Sequence, residues 1–271
     1  MDTERTRRIA GIYAKVRRAH RHMDELVSVV NRHVENHPLV MRVEPEHGPS
    51  SEYRLVVTDY VPPDYLDIGV RLGDVVHNAR SALDAMVWHL SILGSGQDPP
   101  PIIKGHRPQF PIAESEGWFE SAGHHMIASV PDEPRAIIES AQPCFRGDGS
   151  IPDAFALLGR MSNHDKHRLI VPMAVIPQSI QPNRDVTIDE GATLVELIYA
   201  NTTLENDATA ITLRFDRPTR VNMDINITTA IVLDLSELGD GYLPGFAPYG
   251  KVLNAIADDT RKIAALLHPF F

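Results

Sequence analysis

Apolar residues between positions 3 and 35 recur at helical spacing. Ile9, Tyr13, Val16, Met23, Val27, Val30 and Val34 fall on one side and charged residues fill the other, which predicts one long amphipathic helix. Two short apolar runs follow, Leu39–Val43 and Tyr53–Val57, with the turn-forming HGPSS between them, and they predict a β-hairpin. Pro62 and Pro63 stop that unit, and Asp64 is placed to cap a second long helix that runs to Leu93 and ends at Gly94. In that helix Ile68, Leu72, Val75, Ala79, Leu83, Met86, Leu90 and Leu93 alternate steps of three and four, the stripe of a helix packed in a bundle.

The next stretch, 94–113, is a Pro-rich loop pinned by Phe110 and Ile112, and short helices are expected at 114–122 and 131–141. Pro152 suits a helix start, so a further helix is expected over 152–168. Beyond Pro172 and Pro177 the chain turns rich in Val, Ile and Thr. Leu194–Tyr199, Ala210–Phe215 and Ile225–Leu233 are spaced like an antiparallel meander within 172–236. A last helix, 247–267, presents Val252, Ile256, Ile263 and Leu267. The expectation is a single α+β domain over 1–271. Four long helices (3–35, 64–93, 152–168 and 247–267) form a bundle core, with a hairpin after the first and a small antiparallel sheet before the last.

Composition supports a packed core, with 43% apolar and 23% charged residues. No apolar run approaches the roughly 18–20 residues of a membrane span. The first residues are charged, without the apolar centre of a secretion signal, and a lone Cys144 excludes an internal disulfide or a cysteine zinc site. A cytoplasmic protein with no membrane partner is therefore expected. The net charge of −10 is unevenly spread: residues 1–21 carry a net +5, residues 185–259 a net −9. Overall acidity argues against a dedicated nucleic-acid coat, while the basic first helix can approach a phosphate backbone or pair with the acidic half.

Candidate chemistry sits beside the apolar stripe of the second helix. Asp74, His77, Ser81, Asp84 and Trp88 follow steps of three and four along one face, flanked by Asn78 and Arg80. These polar groups are short or bond in two directions, which suits a partly buried site. The helix over 152–168 has an apolar face of Ala154, Leu157, Leu158 and Met161 that continues into His164, Asp165 and Arg168. If the two helices pack together, His164, Asp165, Lys166, His167 and Arg168 meet His77, Asn78, Arg80 and Asp84. Histidines near carboxylates and an arginine can support acid–base work or bind an anion. The plainer alternative is a buried ion-pair network, Asp84–Arg168 or Asp165–Arg80, that fixes helix register.

The segments GDVVHNARSALDAMVWHL (73–90) and LGRMSNHDKHRLI (158–170), with QFPI (109–112) between them, resemble a family of uncharacterised bacterial and phage proteins that pair an HNxRSALD helix with a later DKHR. The chain also resembles the HEPN superfamily of helical bundles, many of them metal-independent ribonucleases of toxin or defence systems. Their signature is an Arg and a His separated by four to six residues, and Arg160 and His167 have six residues between them. That resemblance implies a homodimer in which Arg160 stabilises phosphate charge and His167, with His164 beside it, moves a proton of an RNA substrate.

Other readings stay open. His164 and His167, with Asp165 between them and His77 and Asp84 opposite, make a two- or three-His metal set conceivable in number, but no HExxH or similar signature accompanies them. No metal or cofactor is expected. His124 and His125 fall in an expected loop, GDGS (147–150) follows no strand, and Trp118 is expected in the core. A non-catalytic interaction protein with a structural polar cluster, or a small-molecule binder, remains the alternative to an RNA-binding or RNA-cleaving protein.

Overall fold

The computed structural model describes residues 3–45, 47–146, 153–166, 168, 174–182, 187–188, 191–200, 204–222, 225–234 and 246–271. Helices and antiparallel strands alternate in blocks, so the chain is α+β. Helix α1 spans Thr3–Asn36, and strands β1 (Val40–Glu44) and β2 (Ser50–Asp59) form the expected hairpin, Val43 opposite Leu55. Helix α2 spans Tyr65–Ser95 and packs along α1. Asp64 caps it as its sequence position implies, its Oδ1 accepting the N–H groups of Leu66 (3.1 Å) and Asp67 (3.0 Å).

The far end of α2 departs from expectation. The helix runs through Gly94 and is closed by Gly96, in the left-handed region at φ 69°. Gly94 serves a different purpose, because a Cβ there would lie 2.1 Å from the backbone oxygen of Ser129. It is a close-approach glycine, and the loop beneath α2 rests against it.

Short helical turns follow: α3 (Glu116–Trp118), a π-helical turn (Phe119–Gly123) and α4 (His124–Met126), then α5 (Asp132–Ser140) and α6 (Pro143–Arg146). His124 and His125 thus lie on a helical turn instead of a loop. Helix α7 spans Ala154–Asp165, shorter than expected. Its cap is Asp153, whose Oδ1 accepts from Phe155 N (2.7 Å) and Ala156 N (3.2 Å), while Pro152 lies outside the described residues.

The strands after α7 are β3 (Ala174–Pro182), β4 (Thr187–Ile188), β5 (Leu194–Tyr199), β6 (Thr209–Thr219), β7 (Val221–Asn222), β8 (Ile225–Asp234) and β9 (Phe246–Pro248). Of the expected meander β5 and β6 pair antiparallel, but β8 does not join them. The hairpin joins them in a four-stranded antiparallel sheet of order β1-β2-β6-β5, whereas β8 pairs with β3 and β9 in a separate sheet. Period-two patterning marks a strand but does not choose its neighbour. Here Tyr53 and Leu55 on β2 face Leu213 and Ile211 on β6, and all four are buried. The last helix, α8 (Tyr249–Leu267), packs on α1, α2 and α7, and one hydrophobic cluster runs through α1, β2, α2, α7, β6 and α8. Among the described residues no helix is long and apolar enough to cross a membrane.

Candidate functional site

Helices α2 and α7 do pack side by side, with Asp165 at the crossing. Its carboxylate lies directly over the backbone of Gly73, where an added Cβ would come within 2.5 Å of Oδ1 and 3.0 Å of Cγ. A side chain at position 73 would have to displace this carboxylate. Burial raises the Asp165 carboxyl above the ordinary carboxylate range, and Asp74 adds to the shift while His77 and His164 oppose it. His164 is half-buried, and its Nδ1 is buried with no hydrogen-bond partner among the described residues. Asp165, His164 and the exposed His77 therefore cluster where α7 meets α2.

The pairs expected across the helices do not form. Arg80 turns to its own helix neighbour Asp84 (Nε–Oδ2 3.2 Å) and to the carbonyl of Phe110 (2.7 Å). Asp84 Oδ1 accepts the Phe110 N–H at 3.0 Å. Side chains four residues apart on α2 thus grip both polar groups of one peptide position in the 94–113 loop, and hold the fully buried Phe110 ring against Phe155, with centroids 5.3 Å apart. Ser81 receives Lys15 Nζ from α1 at 2.6 Å, and Asn78 donates to the backbone oxygen of Asp74 at 2.8 Å. Asp74 and His77 are exposed, whereas Ser81, Asp84 and Trp88 further along the line are partly buried. Arg168 is exposed too, its N–H closing on the His164 carbonyl at 2.7 Å. His167 lies outside the described residues. Among the described residues no group of three or more His, Cys, Asp or Glu is arranged to hold a metal ion.

Beside this crossing lies a pocket of about 200 Å³. Arg80 from α2, Arg160, Asn163 and Lys166 from α7 and its end, Gln109 from the loop, and Trp118 from α3 line it. Arg160 is held by Glu114, with Nε 2.9 Å and 3.0 Å from the two carboxylate oxygens. Trp118, expected in the core, is 40% exposed at the rim. Gly159 brings Ile112 close at the pocket wall, because a Cβ would sit 3.0 Å from Ile112 Cγ2.

The pocket presents Arg80, Arg160 and Lys166, the two arginines already paired with Asp84 and Glu114, together with two amides that donate and accept and an indole face. Side chains of these kinds have the chemistry to hold an oxyanion and to stack on a planar ring. Arg160 and Lys166 were legible as candidates from sequence; Glu114, Gln109, Trp118 and Gly73 were not. QFPI was the one available signal for the loop residues, since it places Gln109 and Phe110 next to the clamp. Compared with family models, curated proteins and solved structures, the chain matches none.

Proposed function

We propose that the protein binds single-stranded RNA in the HEPN-like manner, seating one nucleotide in the Arg80–Arg160–Lys166 pocket. The observation that carries this reading is the pocket itself: basic side chains from two helices converge beside an exposed indole. A guanidinium that holds a carboxylate through parallel hydrogen bonds holds a phosphate the same way, so RNA phosphate takes the place of Glu114 on Arg160. Trp118 stacks the base, and Gln109 and Asn163 bond its edge. In the catalytic version, His167 with His164 moves the proton of a metal-independent cleavage, and the working form is a homodimer.

Fluorescence anisotropy with a labelled mixed-sequence RNA at low salt tests the binding. Trp118→Ala loses one stacked base, about 1–3 kcal/mol or roughly 5–150-fold in affinity. Arg160→Ala and Lys166→Ala weaken binding and flatten its salt dependence, by about 0.7 in the log–log slope for each phosphate no longer neutralised. RNA binding that is absent, or indifferent to all three substitutions, defeats the proposal. His167→Ala should abolish cleavage while leaving binding in place.

A second reading has its own observation. Arg80 and Asp84 are both engaged by the Phe110 backbone, which favours a structural role for that half of the cluster, as in a non-catalytic interaction protein. In that case Asp84→Ala lowers stability and RNA is not bound.

A further inference from the structure

Three imidazoles gather on the far side of the pocket wall. The His106 and His125 rings stack with centroids 5.9 Å apart at 27°, and the His124 ring centroid lies 3.7 Å from that of His125. The framework under them is built. Ile103 and His106 exchange both backbone hydrogen bonds (3.1 and 2.9 Å) across Lys104 and Gly105, which sit at φ 48° and 84°. Positive φ at both central residues makes a tight two-residue hairpin turn that fixes where His106 and Lys104 project. His124 and His125 ride on α4. The turn and α4 are tied by Gln109 Nε2 to Met126 Sδ, 3.3 Å, and both of those residues also line the pocket. Gln109 is three residues from His106, at most about 10 Å along an extended chain. Met126 follows His125 directly. The cluster and the pocket therefore share a wall.

Glu120, on the π-helical turn that leads into α4, is exposed; among the described residues the groups acting on His125 are His124, Lys104 and His106. Arg107, exposed and next in the chain, adds a further cation. Desolvation and these neighbours hold His125 below the ordinary imidazole range. His125 thus sits as a desolvated imidazole beside the fixed cations Lys104 and Arg107, and an arriving anion favours its protonated form.

We infer that His106, His124, His125 and Lys104 form a second phosphate subsite, which takes the phosphodiester next to the nucleotide in the pocket and binds it with uptake of protons. This inference rests on the RNA reading of the pocket and extends it from one nucleotide to a strand direction: out of the pocket past Gln109 and Met126, onto the histidines.

Two probes separate the two claims: the dinucleotide UpU, whose single phosphodiester does not titrate between pH 5.5 and 7.5, and an octauridylate without terminal phosphates. Calorimetric titration of the full chain at both pH values should show UpU binding nearly unchanged. The octamer should bind about tenfold tighter at pH 5.5 than at 7.5, the gain from raising one imidazole through that window. His106→Gln/His125→Gln, on a partly exposed surface, should remove the octamer's pH dependence and leave UpU binding intact. Lys104→Ala should weaken the octamer alone at both pH values. If UpU binds while the octamer is pH-independent, or if the double variant keeps the dependence, the histidine subsite is wrong and the pocket stands. If neither probe binds, both fall.

Discussion

Replacing Asp84 with Ala removes two things at once. The carboxylate accepts the Phe110 N–H at 3.0 Å and pairs with Arg80 at 3.1–3.2 Å. The first is a charge-assisted hydrogen bond to a peptide whose side chain is wholly buried, and such bonds contribute about 1.5–3 kcal/mol. The ion pair is partly open to water, with side-chain exposures of 17% for Arg80 and 35% for Asp84, so it adds at most about 1 kcal/mol. A loss of about 3 kcal/mol follows, which in a chain of this size lowers Tm by about 6–12 °C. Asp84→Asn keeps an acceptor for Phe110 N–H and should recover the larger part, while an Arg80→Ala/Asp84→Ala cycle isolates the pair. Urea unfolding followed by circular dichroism, together with thermal scans, measures all three. Asp84→Ala within about 0.5 kcal/mol of wild type would refute the clamp, and Asp84→Asn as damaging as Ala would refute the division between its two parts.

Gly73→Ala places a methyl group 2.5 Å from the Asp165 carboxylate and should destabilise by about 1–2 kcal/mol; with Asp165→Ala present, the same change should instead stabilise by up to about 1 kcal/mol through helix propensity, as read by chemical denaturation. Gly94→Ala should cost more than Gly73→Ala, about 3 kcal/mol or above, because the group it meets is the Ser129 backbone oxygen and not a carboxylate that can rotate. Asp165 supplies the pH test. Its carboxyl is raised in the fold from the ordinary 3.8, so the folded state holds the proton more tightly. Stability is then fully present below that value and declines as pH rises through the folded-state value. Asp165→Asn should be more stable than wild type at neutral pH and converge with it in acid, and parallel Tm-versus-pH curves would rule this out.

Helix α2 was readable because its apolar stripe and the Asp64 cap are local facts of the chain. Its end was not, because Gly94 as a stop signal and Gly94 as a contact with Ser129 look identical until the loop is in place. The same limit explains the strands: Ile225–Leu233 reads as a strand, but its pairing with β3 instead of β6 joins segments distant in the sequence that no local pattern specifies. Arg160 stands out in the sequence by its own charge beside the NHDKHR segment, while its partner Glu114 lies 46 residues away and is brought there by the loop that Arg80 and Asp84 hold.

The polar face of α2 is the most instructive case. Read by side chains, the pattern is Asp74, His77, Ser81, Asp84, and it does not share one surrounding: Asp74 and His77 are exposed, Ser81 turns to Lys15 of α1 and Asp84 to the Phe110 loop. The edge that meets α7 and its loop is Gly73, His77, Arg80, Asp84, spaced four, three and four, and it shares only two members with the first line. Its key position is a glycine, which has no side chain to register in a polarity pattern and is informative only once Asp165 is seen resting on it. A glycine one step off a polar line, opposite a helix that ends in a carboxylate, is therefore the feature that joins HNARSALD to the DKHR segment. It also sets how near the pocket's Lys166, next in the chain after Asp165, comes to α2.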